Sequence, residues 1–260
     1  MNKDYVYLNG VLNKNNGTSL GGNFNVSWAD FSRNIGLLVL FALLTTFALS
    51  VGSMLPGLGT LISGLLSQFI TLGFAAYIYK ERKGASQGFN DFFNPFNKFA
   101  DVVLTVLIVV LINLALLTPT LLAGFYSFFS NERINNALQT RTNFLNEIPY
   151  TLLLTALISL PFIFYTSIVL SFAPYFAFFY NVKPVEAIKL SFKMGNKHFL
   201  HIFLLSIFSG VIIGLGFALC CVGALFAMPV AYILKFHSFS QITELEEDDT
   251  PMFEFEKISN

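Results

Sequence analysis

Charge is scarce in this chain. Only 12% of its 260 residues are charged and their formal sum is zero, against roughly 25% charged in a soluble domain. A surface built from such a sequence would be mostly apolar, and with no basic field to recruit a polyanion, nucleic-acid binding is excluded. Cysteine is nearly absent: Cys220 and Cys221 are adjacent and lie within a hydrophobic stretch, which supplies neither a disulfide framework nor a zinc site. The start lacks the short charged region of a cleavable signal peptide, because a polar, Asn-rich stretch runs to Arg33. The first hydrophobic helix is therefore expected to stay in place as an anchor.

What the chain has in abundance is hydrophobic length, with 55% of residues apolar. A hydrocarbon core about 30 Å thick takes about 20 apolar residues at about 1.5 Å each. Ile35 to Leu55 and Gly57 to Tyr79 meet that length on either side of Pro56 and predict an antiparallel hairpin. Val102 to Phe125 is the third span. Tyr150 to Tyr180 is the fourth, with Pro161 and Pro174 predicting a kink or an irregular end. Phe199 to Phe236 would be about 57 Å long as one helix and is divided near Cys220 to Gly223. The fold class is thus all-α integral membrane with six transmembrane helices. The chain divides into a polar N-terminal segment 1–33 with a short amphipathic helix near its end, a transmembrane domain 34–238 and an acidic tail 239–260.

Cytoplasmic loops retain Lys and Arg while short translocated loops lack them. With the N-terminus inside, Lys3, Lys14, Arg33, Lys80, Arg82, Lys83, Lys98, Lys183, Lys189, Lys193, Lys197, Lys235 and Lys257 fall on one side, and only Arg133 and Arg141 on the other. Six spans with both termini cytoplasmic, in a bacterial inner membrane, give this separation; five do not. The cytoplasmic connections also repeat a theme, an amphipathic aromatic stretch leading into an outgoing helix. Ser27 to Phe31 is the first, with Ser27 as cap and Trp28 at headgroup level. Phe89 to Phe99 is the second, anchored by Phe92, Phe93, Phe96 and Phe99. Pro184 to Phe199 is the third, where Val185, Ile188 and Phe192 share a face and Lys189, Lys193 and Lys197 snorkel from its flank. An interfacial helix plus a transmembrane hairpin, used three times, is the predicted unit.

The third unit carries a resemblance. Glu186-Ala187-Ile188-Lys189-Leu190-Ser191-Phe192-Lys193-Met194-Gly195-Asn196-Lys197, followed by a Gly-rich hairpin ending near Pro229, resembles uncharacterised bacterial multi-pass proteins related to the membrane domain fused to some glycerophosphodiester phosphodiesterases. It covers about the last third of the chain. Ser209, Gly210 and Val211 stand where a tryptophan is expected early in the following helix. The resemblance implies a multi-pass helical membrane domain and lends no chemistry. No soluble segment is long enough for the phosphodiesterase domain itself.

Candidate sites are few. His198 and His201 share one face of a helix start, and His237 is a conceivable third ligand at the same end, but two imidazoles make an incomplete metal site. Intramembrane ionisable residues mark relays and ion-coupled transport; Asp101 and Lys235 are read only as helix-edge residues. Gln68, Asn113, Tyr165 and Thr166 are the central polar groups, read as interhelical hydrogen-bonding residues. Gly210, Gly214 and Ala218 predict a helix-packing face on the fifth span, with Gly57, Gly59 and Gly64 alike on the second. An external loop from Tyr126 to Pro149 is predicted to lie on the outer leaflet or to cover a neighbour. In the tail, Glu246, Glu247, Asp248 and Asp249 precede Phe253 and Phe255, an alternation suited to docking on a partner. No catalytic, cofactor or metal constellation is present in the sequence. The expected function is a non-enzymatic accessory or scaffold subunit of an inner-membrane complex, in protein insertion, secretion or envelope biogenesis, with the bilayer and other membrane proteins as partners. A transporter or lipid-handling protein is the alternative, and a lipid-sized cavity lined by the central polar residues would favour it.

Overall fold

The computed structural model describes residues 3–13, 18–53, 59–86, 88–130, 150–219 and 222–245. In chain order these form α1 (Lys3–Val11), α2 (Leu20–Arg33), α3 (Ile35–Ser53), α4 (Gly59–Arg82), a 3₁₀ segment (Gly88–Lys98), α5 (Phe99–Ser130), α6 (Tyr150–Val169), α7 (Ala173–Phe179), α8 (Pro184–Lys197), α9 (Phe199–Ala218) and α10 (Val222–Thr243). No strand occurs among the described residues. Six of these helices, α3, α4, α5, α6, α9 and α10, are long and apolar enough to cross a membrane. The protein is an all-α multi-pass membrane protein.

Helix ends follow local chemistry. Ser19, not Ser27, caps α2, its hydroxyl accepting from the Gly22 N–H at 3.2 Å. Ser27 lies inside the helix and donates to the Asn23 carbonyl at 2.7 Å, a back-bond that helix-interior serines adopt. Pro184 occupies the first turn of α8, where a missing N–H costs nothing. The fourth hydrophobic stretch runs straight through Pro161 and breaks at 170–172, ahead of Pro174 in the first turn of α7. The Val169 carbonyl, orphaned at the end of α6, accepts from the Ser191 hydroxyl of α8 at 2.8 Å.

The spans divide into two kinds. Those of α3, α5, α6 and α9 are largely exposed and present apolar side chains to the bilayer, whereas more than half of the α4 and α10 spans is buried. α4 and α10 are the two central helices, and their last halves enter an aromatic core at the end of the bundle that carries Arg33, Lys80, Arg82 and Lys98. At this basic end Phe92 stacks between Phe41 at 4.2 Å and Tyr77 at 4.4 Å, and Phe172, Phe176 and Phe179 surround Phe239. Each such pair contributes about 0.5–1.5 kcal/mol beyond the area it buries. The predicted order of short segment then hairpin is present three times: α2 before α3 and α4, the 3₁₀ segment before α5 and α6, and α8 before α9 and α10.

The three short segments are not alike in setting. α2 packs along α10, the 3₁₀ segment packs along α4, and α8 lies against α5, α6 and α7. The N-terminal segment also contains α1, whose C-terminal carbonyls at Asn9, Leu12 and Asn13 accept from Lys193 and Lys197 of α8 at 2.9–3.1 Å. These two lysines therefore cap a helix instead of snorkelling, while Lys189 is exposed. The last helix continues past Phe236 to Thr243, which moves Lys235 from a helix edge to two turns inside α10.

Candidate functional site

α4 and α5 are consecutive in the chain yet touch little, whereas α5 pairs closely with α6 and α10 with α9. The space this leaves is a half-open cleft of about 580 Å³, walled by α4, α5, the α6–α7 junction and α10. Its walls are mainly Leu and Val. Polar groups enter at a few points: Ser67 and Gln68 from α4, Asn113 from α5, Ser167 from α6, Ser171 from the α6–α7 break and Lys235 from α10. Gly64 faces this space with nothing within 4 Å of where a Cβ would stand, so it widens the cleft and does not pack a helix. Asn113 is held in place by accepting from the Thr166 hydroxyl at 2.8 Å and donating to the Val109 carbonyl at 2.9 Å.

Lys235 is the one charged residue on the cleft lining. It also lines, with Ser171, a smaller cavity of about 190 Å³ between α9 and α10. Its ammonium lies over the rings of Phe172 and Tyr175, 5.4 and 5.6 Å from their centroids, and pairs with no carboxylate among the described residues. A desolvated cation costs several kcal/mol, and a cation–π contact returns about 2 kcal/mol, so the rings alone do not neutralise it. Beside it, the Ser171 Oγ is buried with no hydrogen-bond partner.

A second polar cluster fastens the basic end. Asp30 on α2, only 2% exposed, accepts from Arg82 Nε at 2.9 Å and His237 Nε2 at 2.8 Å. A carboxylate only accepts, so the His237 Nε2 carries the proton. Burial works to raise the Asp30 pKa, but the hydrogen bonds from His237 and Arg82 and the charge of both outweigh it and hold the carboxyl below its usual range. Asn23 donates to the Ser238 hydroxyl at 3.2 Å on the same interface, and Lys80 pairs with Asp91 of the 3₁₀ segment at 2.8 Å. Asp30 and Asn23 join α2 to α4 and α10, far apart in the chain, while Lys80 ties α4 to the 3₁₀ segment that follows it; the cluster is a latch, beside a pocket of about 230 Å³ lined by Asn23, Arg82 and His237.

Several residues singled out in the sequence take other positions. His237 turns to Asp30 and not toward His198 and His201, and no group of three His, Cys, Asp or Glu residues is close enough to hold a metal ion among the described residues. Burial, with Lys197 adjacent, lowers the pKa of His198. Gly210, Gly214 and Ala218 are exposed, and no helix among the described residues covers them. The close contact is made by Gly216, where a Cβ would stand 2.6 Å from the Ala227 Cβ and 2.9 Å from the Gly223 carbonyl. Phe92, read as an interfacial anchor, is wholly buried; Phe96, Phe99, Trp28 and Phe192 are exposed and Ile188 is half-buried. Tyr165 donates to Asn196, and Thr120 to Ser159 at 3.1 Å. The first part of the predicted external loop, 126–130, is helical and belongs to α5; its remainder, 131–149, with Cys220, Cys221, Glu246, Glu247, Asp248, Asp249, Phe253 and Phe255, lies outside the described residues.

Lys235 is the site residue that sequence reasoning misplaced. The signal was present in the run Tyr232-Ile233-Leu234-Lys235-Phe236, which does not end in a helix breaker, so the helix continues beyond the lysine. No family model matches this sequence, and no curated protein or solved structure matches it either.

Proposed function

We propose that this chain is a lipid-handling membrane protein that admits an amphiphile from the surrounding bilayer into the cleft between its first two hairpins. The observation that carries this reading is the cleft: about 580 Å³, apolar over most of its wall, half-open, with a small set of polar groups. That volume and that lining are those of small-molecule sites, commonly about 300–1,000 Å³. The opening leaves room for the remainder of a larger amphiphile to stay among the lipids. The central polar residues Gln68 and Asn113 line this space, which is the feature that separates lipid handling from a purely structural role.

An accessory or scaffold subunit of a larger membrane assembly is the second reading. It is favoured by the strip Gly210, Gly214 and Ala218, which is exposed and on which a helix of another chain has close access. One experiment weighs both. The tagged protein is purified from its host in mild detergent, as wild type and as Val110→Trp, which fills the cleft from an exposed position on its wall. Mass spectrometry then identifies retained lipid and retained protein. Lipid kept by the wild type and reduced at least several-fold in Val110→Trp supports lipid handling. A stoichiometric set of partner chains, with lipid content the same in both forms, supports the scaffold.

A further inference from the structure

We infer that the cleft selects amphiphiles whose head is anionic, a phosphate or carboxylate on a hydrocarbon tail, and that Lys235 is its counter-ion. This rests on the lipid-handling reading and adds the chemical class of the ligand. Six polar residues line the cleft, Ser67, Gln68, Asn113, Ser167, Ser171 and Lys235, and none of the lining residues is acidic. Lys235 brings three N–H donors, Ser171 a hydroxyl and Gln68 an amide, and none of these three side chains hydrogen-bonds another described residue. Such a set has an excess of donors and no negative charge, and what completes it is a group rich in acceptors and negatively charged.

The positions of these groups fit a molecule with two ends. Lys235 and Ser171 lie together at the α6–α7 break, toward the basic end, while the wall from Val106 to Asn113 on α5 runs about 10 Å further along the helix axis. A head held at Lys235 thus has an apolar wall beside it on which to lay a chain. Phe172 and Tyr175 hold the ammonium over their faces without using its N–H donors in hydrogen bonds, so it is positioned and unneutralised at once. An intramembrane cation kept without a carboxylate partner is otherwise a net cost to folding, and ionisable groups at such depth mark a ligand or ion pathway.

The test uses the full chain in detergent and counts bound lipid by native mass spectrometry. Two matched pairs of probes are offered in equal amounts: phosphatidylglycerol with phosphatidylcholine of the same acyl chains, and oleate with oleyl alcohol. The wild type is expected to prefer the anionic member of at least one pair by roughly ten-fold, a size typical of one charge-assisted contact. Preference within the first pair identifies a phosphate head, and within the second a carboxylate head. Lys235→Met is expected to bind both members equally, with Lys235→Arg keeping the preference and the exposed Lys189→Met leaving it unchanged. Equal uptake within both pairs by the wild type overturns the inference, as does an unaltered preference in Lys235→Met; the wild-type comparison decides even if that variant does not fold. Equal uptake that Val110→Trp still abolishes leaves lipid handling intact and removes only the anionic head. No lipid uptake of any kind by the wild type removes both.

Discussion

Asp30 and Lys235 are opposite solutions to burying a charge. Asp30 has two N–H donors, Arg82 and His237, and its carboxylate is satisfied within the chain. Asp30→Ala removes the acceptor that joins Arg82 of α4 and His237 of α10 to α2, and is expected to cost about 1–3 kcal/mol, read as a lowered midpoint of thermal unfolding in detergent. The pH dependence follows from the lowered pKa of Asp30. A carboxyl titrating lower in the folded than in the unfolded protein contributes its full stability above the ordinary aspartate range and loses it as pH falls through the lowered folded value. Acidification from neutral pH to below the ordinary range is expected to reduce the wild-type midpoint, and to reduce that of Asp30→Ala less. An equal loss in both would show that the latch is not what acid releases. Lys235 has no carboxylate partner among the described residues and lines the cleft, which is the basis for assigning it an anionic ligand.

At the scale of elements, glycine position decides which helices meet. A Cβ on Gly195 would stand 2.7 Å from both the Val169 Cα and the Val169 carbonyl oxygen, backbone atoms at the end of α6 that cannot move aside cheaply. Gly195→Ala is expected to push α8 off α6 and to lose about 1–3 kcal/mol by overpacking. Gly210→Ala, with open space around it, is expected to be neutral or to gain up to about 1 kcal/mol from helix propensity. Denaturation of the two variants side by side checks the contrast, and an equal loss in both would mean that Gly210 is also in contact. The same pair of residues marks the limit of what the sequence made legible. The six spans, the division near Cys220, Pro184 as a helix start and the break before Pro174 follow from length, hydropathy and proline chemistry. Which face of a span turns inward does not, because lipid and protein interior are equally apolar and the usual polar-outside signal is missing. Gly214 and Gly216 are two residues apart on one helix and only the second is in close contact; Phe92 and Phe96 sit in one aromatic run and only the first is buried. The cleft was illegible for the same reason: its polar residues were visible singly, but the gap between α4 and α5 is a property of packing.

The molecule as a whole is built on two levels, a wide apolar bundle and a dense aromatic core at one end, and the charges are distributed to match. Arg33, Lys80, Arg82, Lys98, Lys189, Lys193 and Lys197 all lie at the core end, next to α2, the 3₁₀ segment and α8. The α5 terminus at Tyr126, 73% exposed, is at the other. If cationic loops stay on the side of synthesis, the aromatic core faces the cytoplasm and the head end of the cleft opens toward the cytoplasmic leaflet. Single cysteines test this orientation once Cys220 and Cys221 are replaced by serine. With a membrane-impermeant maleimide on intact cells, Tyr126→Cys is expected to label directly, and Ala85→Cys, exposed after α4, only after the membrane is opened. The reverse pattern would invert the protein and place the Lys235 end of the cleft at the outer leaflet, where an anionic head would have to be drawn from a different lipid pool.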